Sequence, residues 1–184
     1  MTGKLLMRPA CERDAEGVLQ ILEEGRASIE RLGIKQWGHG YPGIEDVLAD
    51  IALRACFVAQ DDSGHLLGTL AIRLDRDADY TASKICWLTC DAGDGEPPYA
   101  AIHRCASAHA ALRRGVMDFM FRAAEKVCRD AGRRSIRIDT HPGNTAMRGF
   151  LRHRGFSELS SFSLVSHGAS ADRVRIGYEK LLER

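Results

Sequence analysis

An amphipathic helical pattern between two strand-like runs dominates the second half of the chain. Apolar residues recur at helical spacing from Val116 to Val127, and Gly132 follows as a stop signal. Strand-like runs precede and follow this helix at Tyr99–Ser107 and Ser135–Thr140. Two strands joined by a helix pair in parallel through a right-handed crossover, so this segment predicts an α/β fold.

The first half of the chain predicts helices followed by an antiparallel meander. A short strand at 4–8 precedes an apolar helical pattern that begins at Ala15 and stops at Gly33. A second short helix surrounds Val47. Two strands are then predicted at Cys56–Gln60 and 67–73, separated by the turn 61–64. Residues 85–88 are a weaker strand candidate.

The end of the chain predicts one more helix and two strands. Asn144 is a candidate N-cap for a helix that runs to Gly155. Strands follow at 156–165 and 173–181, with Gly168 in the turn between them. The expected fold is therefore one α/β (α+β) domain of residues 1–184. It has a mixed central sheet of six to seven strands, an antiparallel N-terminal meander and about four helices.

Charge and composition narrow the classes of partner. Lys and Arg total 26 against 25 Asp and Glu, a net charge of +1, so no overall field favours nucleic acid or membrane. No run approaches the about 18 apolar residues that span a bilayer. The N-terminus lacks the apolar core of a signal peptide, so a cytoplasmic location and six reduced cysteines are expected. The cysteine spacing predicts no metal site.

The loop before the amphipathic helix is the first candidate site. Arg113, Arg114 and Gly115 lead directly into the helix, whose N-terminus presents free N–H groups and a partial positive charge. Gly115 allows close approach of the backbone, so a pyrophosphate suits this position. The alternative is a solvated turn before an ordinary helix.

The segment 102–156 resembles the cofactor-binding half of the GNAT acetyltransferases. Residues 113–117, Arg-Arg-Gly-Val-Met, stand where that family has its pyrophosphate loop: Gln or Arg, two residues, Gly, one residue, then Gly or Ala. Asn144, followed eleven residues later by Gly155 and Phe156, matches a second family pattern. The likeness extends over most of the chain through Gln36-Trp37, Tyr41-Pro42 and the C-terminal run 175–179.

The resemblance implies acetyl-CoA as acyl donor and a set of residues that contact it. In the family a bulge bends the strand at 102–107 away from the strand at 135–140, and the pantetheine arm lies in the gap. Backbone N–H groups near Cys105, Ala106 and Ser107 then polarise the thioester carbonyl. The implied contacts are completed by Arg113, Arg114, Gly115, Val116, Met117 and Asn144.

His103 is the candidate general base that would deprotonate the acceptor amine. By strand alternation, positions 103, 105 and 107 share a face that is expected to meet the acceptor, and an imidazole titrates near working pH. A His at this position is similar to one in the arylalkylamine acetyltransferases. The alternative is a half-buried His hydrogen-bonded to the backbone.

Four further residues are candidates for binding the acceptor. Trp37 and Tyr41 lie in the Gly-rich loop where the family builds its acceptor wall, although ordinary packing explains them equally well. Asp139 and His141 end the predicted strand at Ser135–Thr140, where they either orient the acceptor or cap the loop and following helix.

Three positions depart from the family pattern. Leu112 stands for the leading Gln or Arg, and Met117 for the second small residue. Leu151 stands where many members place a Tyr that protonates the departing thiolate, so that general acid is absent. Chemistry in this chain is therefore expected to depend on deprotonating the amine.

The expected function is transfer of acetyl from acetyl-CoA to a primary amine of a small molecule or peptide. The alternative is a non-catalytic acyl-CoA-binding or regulatory module. The identity of the acceptor and the oligomeric state, a homodimer included, stay open at this point.

Overall fold

A computed structural model describes residues 4–38, 40–166 and 172–183 of the chain. Its strands are β1 (Leu6–Pro9), β2 (Cys56–Gln60), β3 (Leu66–Arg73), β4 (Tyr99–Ser107), β5 (Ser135–Thr140), β6 (Ser157–Ser163) and β7 (Val174–Leu181). Its α-helices are α1 (Ala15–Glu30), α2 (Ile44–Ala52), α3 (Ala78–Ala82), α4 (Val116–Asp130) and α5 (Thr145–His153). The predicted turn residue Gly168 lies outside the described residues.

The seven strands form one mixed sheet in the order β1-β2-β3-β4-β5-β7-β6. The pairs β1/β2, β2/β3, β5/β7 and β6/β7 are antiparallel. β4 and β5, which α4 connects, are parallel, with Tyr99 opposite Ser135 and Ala101 opposite Arg137. The predicted mixed sheet, N-terminal meander and parallel pair are confirmed.

The backbone divides into two compact units, each assembled from separate stretches of chain. The described residues of the first unit are 4–28, 40–72 and 102–124, and those of the second are 29–38, 73–101, 125–166 and 172–183. The prediction of a single domain stays a prediction.

The first unit contains β1 to β3, α1, α2, the second half of β4 and the start of α4. Its interior is apolar, with Val18 and Leu22 of α1, Val47 of α2 and Leu70 of β3 at most 1% exposed. These side chains recur at helical or alternate spacing, which is why the sequence pattern located their elements.

The second unit contains β5 to β7, α3, α5 and the long connection between β3 and β4. Tyr80 of α3 and Tyr99 of β4 lie in its core, with Trp87 packed against them. Tyr80 is 5.0 Å from Trp87 and 6.4 Å from Tyr99 between ring centroids. This aromatic cluster orders a stretch of chain whose sequence has no clear periodicity.

One sequence prediction fails in that connection, and one short helix there was not predicted. Residues 85–88 are not a strand, because they run beside the aromatic cluster in irregular conformation. The short helix α3 was not predicted, and it raises the number of α-helices from about four to five. Its N-cap, Asp77, accepts a hydrogen bond from the Tyr80 N–H at 2.9 Å.

No helix among the described residues is long and apolar enough to cross a membrane. All six cysteines are free thiols. Burial raises the pKa of the Cys56 thiol to about 11 and that of the Cys128 thiol to about 12. Both are therefore protonated and unreactive at neutral pH.

Candidate functional site

An irregular residue bends β4 in the middle of the predicted site. Arg104 has a φ of +47°, a left-handed conformation inside a strand. A left-handed residue is one of the irregularities found at β-bulges. Because Arg104 interrupts the regular strand between them, alternation alone does not establish that His103 and Cys105 share a face, and that expectation stays a prediction. His103 itself is half-buried.

Two side chains from α2 and the preceding loop hold the Arg104 guanidinium. Asp50 accepts from Nε at 2.6 Å and from Nη2 at 2.7 Å, and the Tyr41 hydroxyl accepts from Nη1 at 2.8 Å. Burial acts to lower the pKa of Arg104, but Tyr41 and Asp50 outweigh it and the pKa is raised. For the Tyr41 hydroxyl, in contrast, burial raises the pKa, and the charge of Arg104 opposes that rise. Arg104 is therefore a permanently charged, fully engaged group.

The loop before α4 has the backbone shape expected of an anion cradle. Arg113 and Gly115 both have positive φ, of 62° and 76°. The Gly115 carbonyl accepts from the Phe119 N–H at 3.0 Å, which closes the first helical turn. The N–H groups of that turn point out of the helix end, because they precede the first intrahelical donor. Leu112, Arg113, Arg114 and Gly115 are all exposed.

The backbone of this loop is accessible at Gly115. A Cβ placed on Gly115 meets no atom of the chain within 4 Å, so the space beside its backbone is open. Two basic residues, Arg113 and Arg114, directly precede Gly115 in the chain, and the helix dipole adds positive potential there. The loop therefore suits an anionic ligand.

Gly68 of β3 sets the position of α4. A Cβ on Gly68 would lie 2.9 Å from Val116 Cγ1, 3.0 Å from Met120 Sδ and 3.3 Å from the Ala106 carbonyl oxygen. The first turn of α4 and the end of β4 both rest on this glycine. Sequence reasoning missed Gly68, whose only local signal is a glycine inside a strand.

Asn144 caps α5, as predicted. Its Oδ1 accepts from the Met147 N–H at 3.1 Å, and the residue is 9% exposed. Leu151, on the same helix, is completely buried. The proposed contact of Asn144 with the cofactor stays a prediction.

Asp139 and His141 are both tied to protein partners. Asp139 accepts from the Tyr80 hydroxyl at 2.9 Å and pairs with Arg175 Nε at 3.3 Å. His141 Nδ1 accepts from the Gly143 N–H at 3.0 Å, which places the proton on Nε2, 2.8 Å from Asp172. These contacts match the alternative reading, in which the two residues hold the loop after β5.

The two predicted acceptor aromatics lie in different units. Trp37, in the second unit, is 9% exposed, and the neighbouring Gln36 accepts from the His141 N–H at 3.1 Å. Tyr41, in the first unit, is half-buried and bonded to Arg104. The first unit also holds 103–107 and 113–117, whereas Asp139, His141 and Asn144 belong to the second.

A buried charge pair in the second unit was not predicted. Arg137 and Glu179 are at most 2% exposed, and Arg137 Nε lies 3.2 Å from Glu179 Oε1. Glu179 also accepts from the hydroxyls of Thr89 and Ser135, at 2.5 and 2.6 Å. The Arg137 guanidinium lies 3.8 Å from the Tyr99 ring centroid. Full satisfaction of both charges makes this a structural cluster.

Within the described residues no group of three or more His, Cys, Asp or Glu side chains is arranged to hold a metal ion.

Comparison with known proteins gives a consistent family. A model described as the acetyltransferase (GNAT) family matches residues 19–156. S-(2-succino)cysteine N-acetyltransferase of Bacillus subtilis (strain 168) is 29% identical over 92 residues, which are 48% of this chain and 54% of that protein. The match thus spans about half the length of this curated relative.

Solved structures share the fold over nearly the whole chain. A GNAT-family acetyltransferase from Streptococcus agalactiae 2603 superposes with a TM-score of 0.81 at 25% identity, covering 98% of this chain and 96% of that one. An acetyltransferase from Salmonella typhimurium, solved with its cofactor acetyl-CoA, has a TM-score of 0.69 at 12% identity, covering 98% and 95%.

Proposed function

The chain belongs to the GNAT family of acetyltransferases, and from that premise we propose that it transfers an acetyl group from acetyl-CoA to the primary amine of a small molecule or peptide. The observation that carries the proposal is the loop before α4. Its left-handed residues, open backbone at Gly115 and flanking arginines suit the pyrophosphate of a CoA thioester.

The donor would be held mainly by backbone. The N–H groups of Gly115, Val116 and Met117 would bind the pyrophosphate, with Arg113 and Arg114 supplying charge at the exposed rim. Met117 is half-buried, so its bulk lies partly within the protein. Asn144, which caps α5 in the second unit, stays a predicted contact of the cofactor.

The backbone after Arg104 would stabilise the negative charge that develops on the acetyl carbonyl during transfer. Amide N–H groups at Cys105 to Ser107 would donate to the acetyl carbonyl as it gains negative charge. Acetyl-CoA supplies the activated thioester. Since Leu151 is buried and apolar, no hydroxyl at that position protonates the leaving sulfur.

His103 would act as the base, removing a proton from the acceptor ammonium so that the neutral amine can attack.

The curated relative supports a proposal for the acceptor class. That protein is named for acetylating S-(2-succino)cysteine, which is an α-amino acid derivative. The matching segment covers about half of each chain. We therefore place small α-amino acids with additional carboxylates first among acceptors, ahead of peptide N-termini.

A binding assay and a turnover assay together test the proposal. Calorimetry with acetyl-CoA measures donor binding, and release of the CoA thiol measures transfer to S-(2-succino)cysteine, free amino acids and short peptides. Binding with thiol release on an amine supports the enzyme. Binding without release on any amine favours the non-catalytic module, and no binding at millimolar acetyl-CoA contradicts both.

A further inference from the structure

We infer that Arg104 is a positioning residue for acyl transfer: anchored by Asp50 and Tyr41, it fixes the bend in β4 and so aims the amide N–H groups that follow it. The inference rests on the proposed function. It concerns the side chains of Arg104, Asp50 and Tyr41, to which the backbone hydrogen bonds of the proposed reaction assign no role.

The first step is the backbone conformation of Arg104. L-residues other than Asn and Asp rarely adopt positive φ, and such a conformation persists only where the surroundings over-determine it. A glycine would take this shape freely. Arg104 has a long side chain instead, so contacts of that side chain can hold the bend.

The second step is the anchor. A carboxylate of α2 grips the guanidinium with two short, parallel hydrogen bonds, at 2.6 and 2.7 Å. Asp50 is 3% exposed and the Arg104 side chain 14%, so water competes poorly with this pair. Removal of the Asp50 charge would leave a buried guanidinium with a weakened partner.

The third step links the Arg104 anchor to the loop before α2, which is predicted to bind the acceptor. The hydroxyl oxygen of Tyr41, a predicted acceptor-wall residue, accepts a hydrogen bond from Arg104 Nη1 at 2.8 Å. The Arg26 guanidinium of α1 holds the same loop by donating to the Pro42 carbonyl at 2.6 Å. One guanidinium therefore fixes both the bend in β4 and the ring of Tyr41.

The consequence is a specific division of effects. Rotation of the peptide planes after Arg104 changes where the N–H groups of 105–107 point, so loss of the anchor weakens polarisation of the acetyl carbonyl. The α4 loop, which would bind the pyrophosphate, contributes no residue to this anchor. Donor affinity is thus retained while turnover falls.

The test uses the infrared stretch of the bound thioester carbonyl, observed with acetyl-CoA labelled with ¹³C at that carbon. Hydrogen bonding to the carbonyl lowers its stretching frequency. Wild-type protein should show this downward shift. Asp50→Asn should lose most of it, with kcat on the best amine acceptor reduced about 10-fold or more, while CoA itself binds within about threefold of wild type.

The matched control is Asp14→Asn. Asp14 makes a bidentate pair with Arg8 in the same unit, at 2.7 and 2.9 Å, but lies on no element of the proposed site. This variant should lose thermal stability and keep the carbonyl shift and turnover. A merely structural role for Asp50 would give the same result as Asp14→Asn.

If Asp50→Asn does not fold, two milder variants can still refute the inference. Arg104→Lys retains the charge but lacks the planar fork, and Tyr41→Phe removes one hydrogen bond. Both should reduce the carbonyl shift. Retention of the shift and of kcat in folded Asp50→Asn, or in both milder variants, overturns the inference. Failure of the wild type to bind acetyl-CoA contradicts the proposed function, and the inference with it.

Discussion

Val116 of α4 rests directly on Gly68 of β3, so closely that a Cβ on Gly68 would lie 2.9 Å from Val116 Cγ1. Val116 is 2% exposed and β-branched, and it has little freedom to move aside. Gly68→Ala should therefore displace the first turn of α4. We expect a loss of about 1–3 kcal/mol in the free energy of unfolding, measured by urea titration, and weaker acetyl-CoA binding by calorimetry.

Gly17→Ala is the control for that substitution. A Cβ on Gly17 would lie 2.9 Å from Leu66 Cδ1, the end of a flexible side chain that can rotate away. Since Gly17 lies inside α1, alanine should also favour the helix there by up to about 1 kcal/mol. Equal stability and equal acetyl-CoA affinity in both variants would show that Gly68 does not set the position of α4.

Two glycines at the ends of α4 allow the anion cradle to be tested in isolation. Gly115 and Gly132 have φ values of 76° and 73°, and a Cβ on either meets nothing within 4 Å. Valine at either position should cost similar stability, because the backbone strain is the same. Only Gly115→Val should abolish the rise in melting temperature with acetyl-CoA. A normal rise in Gly115→Val would remove the cradle from the site.

His103→Gln tests the proposed base. The variant should keep its acetyl-CoA affinity and lose about 10²-fold in kcat, the usual contribution of a general base. The acidic limb of the pH profile of kcat/KM should also move toward the pKa of the acceptor amine. Wild-type turnover and pH profile in this variant would instead favour proton transfer through water.

Leu151→Tyr tests the missing general acid. The sequence predicts little change in turnover, because a new hydroxyl lacks groups to position it. The structure adds a stability cost, since Leu151 is completely buried and a larger side chain overpacks that site. We expect a loss of about 1–3 kcal/mol in the free energy of unfolding and unchanged kcat below the melting temperature. An increase in kcat would contradict this account of the leaving group.

The Arg76–Asp91 pair predicts an acid-dependent contribution to stability. The hydrogen bond from Arg76 lowers the pKa of the Asp91 carboxyl to about 2, below the unfolded value of about 3.9. A depressed carboxyl pKa stabilises the fold at pH values above the unfolded pKa, and this stabilisation is lost as pH falls toward 2. Asp91→Asn should therefore have a lower urea midpoint than wild type at pH 6, with the two converging near pH 2. A constant difference in urea midpoint between pH 6 and pH 2 would argue against the Arg76–Asp91 pair as the source of this stabilisation.

The predictable parts of the fold are those specified locally. β4 and β5 have the bounds that their strand-like sequences predict, and Asn144 caps α5 through a hydrogen bond to a residue three positions along. The connection at 74–98 was not predictable, because its order comes from Tyr80, Trp87 and Tyr99 packing together in three dimensions. In that connection the side chains follow neither the helical nor the strand period.

The candidate site divides in the same way. The loop at 113–115 and the helix behind it are contiguous in the chain, so the sequence by itself determined that two arginines and a glycine directly precede α4. The anchor of Arg104 joins residues separated by 54 and 63 positions, and the Asp139–Tyr80 bond joins residues separated by 59. Only the tertiary structure decided these partners, because a buried charge or hydroxyl takes whichever complementary group the packing of the elements brings within hydrogen-bonding distance.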